Sequence, residues 1–380
     1  MKNNLAPTFA KPIGDNYILW FKSTNNYIII DGFLMSFVEI FTKVKDKIQF
    51  IQEITQSEKF SEGIEKAQAI YNAISNFLED QNTPNISTEV EEVPFENSFR
   101  NYHETYQIDT HTLEIYYASE AIKELIHPKI MHLANTVEST KKAETIFDIY
   151  DKGNNFYLFK NNCFVVSFEK SNYHLLQGRF SMELLCVLYN KQENDWLGTF
   201  HASTVSNGIE SIMLVGDSGN GKSTFSALLM AAGLNLIADD ITPILAENGH
   251  VYSYPSAISI KQGAFEILDD YYPNFKNLKS FESGTKKGLL KYIPPKKFKK
   301  KSKRHLPCTK IVYVKYDKKK VTKLTKSSPK NILPTLIPES WISPKQENAK
   351  QFLNWLEDVS YYELIYNDNS KAISTFMKLL

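Results

Sequence analysis

Two kinds of spacing alternate along this chain, and each change of spacing marks an element. Tyr17-Ile-Leu-Trp-Phe21 and Asn26-Tyr-Ile-Ile-Ile30 are apolar runs on either side of the polar Lys22-Ser-Thr-Asn25, which predicts a β-hairpin. From Asp31, a residue type that caps helices, the period lengthens, with Phe33, Phe37, Ile40 and Phe41 at helical spacing. Further helices are predicted over residues 48–54 and 61–80, the second with Ile64, Ala67, Ile70, Tyr71, Ile74, Phe77 and Leu78 on one face. Residues 81–94 then lose periodicity; they are polar, acidic and punctuated by proline, the composition of a linker. Residues 99–200 read as β-rich with helical insertions, including a hairpin of Phe156-Tyr-Leu-Phe159 with Cys163-Phe-Val-Val-Ser-Phe168 and a helix over 180–189. Near the C-terminus a strand over 361–366 precedes a capped helix over 370–380. The division this predicts is a small N-terminal unit (1–82), a linker (83–98) and a larger unit (99–380).

Between residues 209 and 240 the pattern carries chemistry. A buried strand over 209–215 runs into Gly216-Asp-Ser-Gly-Asn-Gly-Lys-Ser-Thr224, and a helix follows in which Phe225, Leu228, Leu229 and Ala232 share a face before Gly233 stops it. Strand, G-x-x-x-x-G-K-[ST] loop and helix together predict a nucleoside triphosphate site. Gly216, Gly219 and Gly221 leave room for a loop whose amides, with Asp217, Ser218, Asn220 and Thr224, curl around phosphate. The helix N-terminus adds partial positive charge. Lys222 is expected to reach the β- and γ-phosphates of ATP, and the Ser223 hydroxyl to ligate Mg²⁺.

A short apolar run over 234–238 ends in Asp239-Asp240, only 17 positions after Lys222. Adjacent carboxylates at a strand end are costly unless a cation or a proton transfer uses them. One is expected to hold Mg²⁺ and the other to accept a proton from an attacking hydroxyl. His201 begins another predicted strand, over 201–205, joined to the phosphate-loop strand by Ser206-Asn-Gly208, so a hairpin would bring its imidazole to the same place.

In this order, His201, Gly-Asp-Ser-Gly-x-Gly-Lys-Ser at 216–223 and Ala-Asp-Asp at 238–240 resemble the catalytic core of the HPr kinase/phosphorylase family, which is related to phosphoenolpyruvate carboxykinases. The resemblance implies an α/β kinase domain with a mixed sheet. It also implies Asp240 as general base, Asp239 and His201 as its acid/base partners, and Ser223 and Asp239 at the metal. The family's glycine-containing E-I-R-G-x-G segment is not found after the acidic pair, a departure that bears on both HPr as substrate and the phosphorylase activity. Tyr254-Pro255, Phe352-Leu-x-Trp-Leu and Tyr362-Glu-Leu-Ile-Tyr366 resemble the HPr-kinase-like proteins found beside peptide-modification systems. Members of that group are often homo-oligomers.

The N-terminal hairpin and three helices, with Tyr27-Ile-Ile-Ile-Asp-Gly32 leading to Phe41, resemble the PqqD-like family of small winged-helix (α+β) modules. That resemblance implies a peptide or small-protein partner bound along a strand edge within residues 17–80.

Composition narrows the classes. A formal net charge of +1 gives no reason to invoke nucleic acid or a membrane, and no segment approaches the ~20 apolar residues of a membrane helix. Cys163, Cys186 and Cys308 read as free thiols, and the eight histidines show no paired-ligand spacing. The expectation is a cytoplasmic protein. Residues 286–304 hold ten Lys or Arg and no acid. Such a run is ordinarily a solvated loop, but the apolar Leu289-Leu-Lys-Tyr-Ile-Pro-Pro295 within it makes Lys287 and Lys291 candidates for contact with phosphate or an acceptor. The expected activity is ATP- and Mg²⁺-dependent phosphorylation of a Ser or Thr hydroxyl on a peptide or small protein. A small-molecule kinase and a nucleotide-gated peptide-binding protein are the alternatives.

Overall fold

In the structure, a computed structural model, residues 4–57, 60–84, 92–135, 143–282, 288–296 and 303–380 are described. The N-terminal hairpin carries a third strand that the sequence pattern did not reveal. β1 (Phe9–Ile13), β2 (Asn16–Phe21) and β3 (Asn26–Asp31) form an antiparallel sheet in that order. Asp31 accepts the Leu34 N–H at 2.8 Å and starts α1 (Gly32–Lys43). α2 (Lys47–Thr55) and α3 (Gly63–Asn82) complete the unit. Strand alternation gives the sheet two apolar faces. Leu19, Phe21 and Ile30 pack on the helices with Phe41, Phe50 and Leu78. Ile18, Trp20 and Tyr27 face the remainder of the chain. Ile64, expected on the apolar face of α3, is instead 61% exposed.

The second layer is a five-stranded sheet ordered β4 (Tyr102–Ile108), β5 (His111–Tyr117), β6 (Thr145–Lys152), β7 (Asn155–Lys160), β8 (Cys163–Glu169). Only β5 and β6 run parallel, and α4 (Glu120–Ile130) lies in the crossover between them. α5 (Tyr173–Tyr189) follows and packs beside α4 on a shared apolar core.

The remaining chain builds a ten-stranded mixed sheet. Its strands are β9 (Trp196–Phe200), β10 (Ser203–Ser206), β11 (Ser211–Val215), β12 (Asn235–Ala238), β13 (Thr242–Leu245), β14 (His250–Tyr252), β18 (His305–Tyr316), β19 (Lys323–Lys326), β20 (Trp341–Ile342) and β21 (Ser360–Tyr366). α6 (Lys222–Ala231) follows β11. Between β14 and β18 the chain forms a separate small sheet of β15 (Ile258–Lys261), β16 (Phe281–Glu282) and β17 (Leu289–Ile293), with α7 (Phe265–Asp269). α8 (Pro329–Leu336), α9 (Gln346–Asp358) and α10 (Asn369–Phe376) cover the large sheet. The result is a mixed α/β protein. Among the described residues no helix is long and apolar enough to cross a membrane.

Candidate active site

Sheet direction explains why distant residues meet. β11 and β18 run parallel, while β10 lies between β11 and β12 and runs antiparallel to both. The start of β10 therefore lies at the sheet end where β11 and β12 finish. His201 sits two residues before β10, the phosphate loop follows β11, and Asp239-Asp240 follows β12. All three reach one cavity of about 850 Å³, lined among others by His201, Gly216, Lys222, Ser223 and Asp240.

The loop has the backbone expected of an anion cradle. Gly219 and Gly221 take φ of +98° and +90°, values that L side chains rarely adopt. At Gly216 the constraint is contact, since a Cβ there would lie 2.7 Å from the Val314 carbonyl oxygen of the parallel neighbour β18. Gly221 caps α6 without a side-chain partner and no acid occupies the first helical turn, so its amides face the loop uncompensated. Lys222 is buried, and its ammonium donates to the His201 carbonyl at 3.3 Å. Asp217 turns its carboxylate aside: it accepts from Tyr313 at 2.6 Å, Thr335 at 3.1 Å and Asn220 at 3.2 Å.

The two acids have different surroundings. Asp239 is buried, Ser223 donates to its Oδ1 at 3.4 Å, and its Oδ2 has no hydrogen-bond partner among the described residues. Burial first, and the Asp240 charge second, push the Asp239 carboxyl up. An unpaired buried oxygen beside a serine hydroxyl and a phosphate loop fits a divalent cation, so Ser223 and Asp239 are a chemically suitable pair of oxygen donors for Mg²⁺. Asp240 is only half-buried and takes a left-handed φ of +62°. Desolvation opposes its ionisation, but the Lys129 and Lys222 ammonium groups outweigh that and hold its carboxyl below the usual range. His201 is pushed down, by burial and then by Lys222, which favours the uncharged ring. Its Nε2 lies 3.7 Å from Glu339.

Two lysines at the site carry no sequence signal. Lys129, at the end of α4, pairs with Asp240 at 3.3 Å although 111 residues separate them. Burial works against its ammonium, but Asp240 holds its pKa above the ordinary lysine value. Lys261 reaches the loop from β15, donating to Ser218 Oγ at 3.3 Å. Lys291, an expected phosphate or acceptor contact, is turned away. Its neighbours Leu290 and Tyr292 line the cavity, so strand alternation sends Lys291 to the opposite face. There it donates to the Phe275 and Lys276 carbonyls, both at 2.9 Å, and lies over the Phe265 and Phe275 rings. Lys287 lies outside the described residues.

No protein-family model matches this chain, and no curated protein does. Among solved structures, the Hpr(Ser) kinase/phosphatase from Coxiella burnetii is a weak neighbour, with a TM-score of 0.20, 11% identity, and coverage of 48% of this chain and 93% of that one.

Proposed function

We propose that this chain is an ATP- and Mg²⁺-dependent phosphotransferase acting on a hydroxyl acceptor. One observation carries the reading: the phosphate cradle, Lys222, Ser223 and Asp240 open on a single cavity, and Asp239 lies 3.4 Å from the Ser223 hydroxyl. Lys222 and the loop amides would bind the β- and γ-phosphates and stabilise charge as it moves. Mg²⁺ on Ser223 and Asp239 would supply neutralisation of phosphate charge. Asp240, ionised and facing open space, receives the acceptor's hydroxyl proton as its oxygen bonds to the γ-phosphorus and the bond to the β,γ-bridging oxygen breaks. Lys129, paired with that carboxylate at 3.3 Å, holds it in place. The acceptor we infer is a Ser or Thr of a peptide or small protein. The outer edge of β3 pairs with no strand among the described residues, which leaves backbone groups for an added peptide strand.

Titration calorimetry with MgATP and transfer from γ-labelled ATP test this on the full chain. Asp240→Asn is expected to lower transfer by about 10²–10⁴-fold while nucleotide affinity stays close to wild type. Lys222→Ala is expected to abolish transfer. Wild-type protein that does not bind MgATP, or undiminished transfer in either variant, removes the proposal.

A further inference from the structure

A second cavity, of about 940 Å³, meets the first at Lys129, Gln177, His201 and Asp240, which line both. Among the described residues no member of the phosphate loop borders it, whereas both acids do. Apolar groups make up more of its wall than polar ones, with Phe168, Leu175, Ile241, Tyr254 and Trp341 contributing. Two cations, Lys129 and Arg179, face four carboxylates, Glu193, Asp239, Asp240 and Glu339. Both cations are already engaged. Lys129 is held by Asp240, and Arg179 by Glu183 and Glu193 at 2.6 Å each. An anionic ligand entering here would therefore lose hydration without gaining a partner charge.

A glycine on this wall is an independent pointer. Gly178 lies inside α5, where glycine costs about 1 kcal/mol relative to alanine. Its backbone angle is ordinary, and a Cβ built on it meets nothing within 4 Å. Neither a turn nor close packing calls for glycine at this position. What its missing side chain provides is space; Gly178 is exposed and lines the second cavity, so that space lies at the cavity's open rim.

We infer that the second cavity is the acceptor chamber, and that it takes a serine or threonine hydroxyl carried on an apolar, non-anionic peptide segment. The inference rests on the phosphotransferase reading and extends it to the substrate. ATP occupies the first chamber and the hydroxyl enters from the second. Asp240, at the junction, takes the proton; ADP leaves on one side and the phosphate ester on the other.

The test uses the full chain, γ-labelled ATP and two blocked peptide libraries of the form Ac-Z-Z-Ser-Z-Z-NH2, one with apolar Z and one with Asp or Glu at Z. Wild type should label the apolar library at least about tenfold faster than the acidic one. Gly178→Phe obstructs the chamber at its rim and should cut peptide labelling by about tenfold or more, while MgATP affinity, read by calorimetry, stays within about twofold. Leu175→Glu, at a wall position 44% exposed and so tolerant of change, should raise the peptide KM without altering MgATP affinity. Unchanged labelling in both variants, a preference for acidic peptides, or no labelled peptide from protein that binds MgATP overturns the inference. Wild-type protein without MgATP affinity strikes instead at the phosphotransferase reading on which it stands.

Discussion

Asp217 puts a carboxylate into a loop shaped for anions, and three donors hold it to one side. The Tyr313 contact at 2.6 Å is the shortest of them, and a hydrogen bond to a charged acceptor is the strongest kind. Without it the carboxylate can swing toward the place where the proposed ATP phosphates would lie. Tyr313→Phe is expected to weaken MgATP binding by about 3–10-fold, corresponding to roughly 1 kcal/mol, with little change in melting temperature. Calorimetry decides, and an unaltered affinity means that the carboxylate needs no anchor. A second residue-scale effect concerns protons. Burial pushes the His132 imidazole down to about 4, and neither ring nitrogen has a hydrogen-bond partner among the described residues. In the unfolded chain histidine titrates near ~6.5, so between these values the unfolded state binds more protons. Stability must then fall as pH drops from about 6.5 toward 4. His132→Phe removes the titrating group. Its melting temperature, relative to wild type, should rise progressively below about pH 6.5 and be constant above about pH 7.5; a difference independent of pH would exclude the imidazole as its source.

Among the elements, local signals were legible and cross-chain ones were not. β11, the phosphate loop, α6 and β12 lie within 28 consecutive residues, so spacing and turn chemistry suffice to read them. The start of α5 was missed by seven residues because Gly178 looks like a helix breaker when read without its cavity. β1 was missed because its five residues include Lys11 and Pro12, which interrupt the apolar pattern. Lys129 was invisible for a different reason: it is an ordinary helical lysine until the parallel β5–β6 crossover carries α4 to Asp240. β17 shows the complementary limit. Alternation says that Leu290 and Lys291 face opposite ways, but sequence does not say which side holds the cavity. The cage of two carbonyls and two rings around Lys291 makes this residue structural. Lys291→Ala should cost about 2–3 kcal/mol of stability, by denaturant titration, yet leave MgATP affinity within about twofold. A large loss of nucleotide affinity with normal stability would return Lys291 to the phosphate site.

At the scale of the whole molecule, the N-terminal sheet does not simply hang from a linker. Tyr27 meets Phe352 of α9 edge-on at 5.3 Å, Phe352 stacks on Phe200 at 5.3 Å, and Lys11 pairs with Glu357 at 2.5 Å. One apolar cluster thus runs from β2 and β3 through α9 to β9 and β11. Because both partners of the Tyr27–Phe352 contact are buried, separating the N-terminal unit exposes aromatic surface on the remaining chain. Removal of residues 1–82 is therefore a poor probe of peptide recognition, since it disturbs the sheet that carries the candidate active site. Phe352→Ala isolates the mechanical link while keeping the chain intact. It should cost about 3–4 kcal/mol and divide one cooperative calorimetric transition into two, the N-terminal unit melting apart from the large sheet. Two separate transitions already present in the wild type would mean that this aromatic contact does not couple the units, and the N-terminal sheet would then be free to be deleted as an independent recognition module.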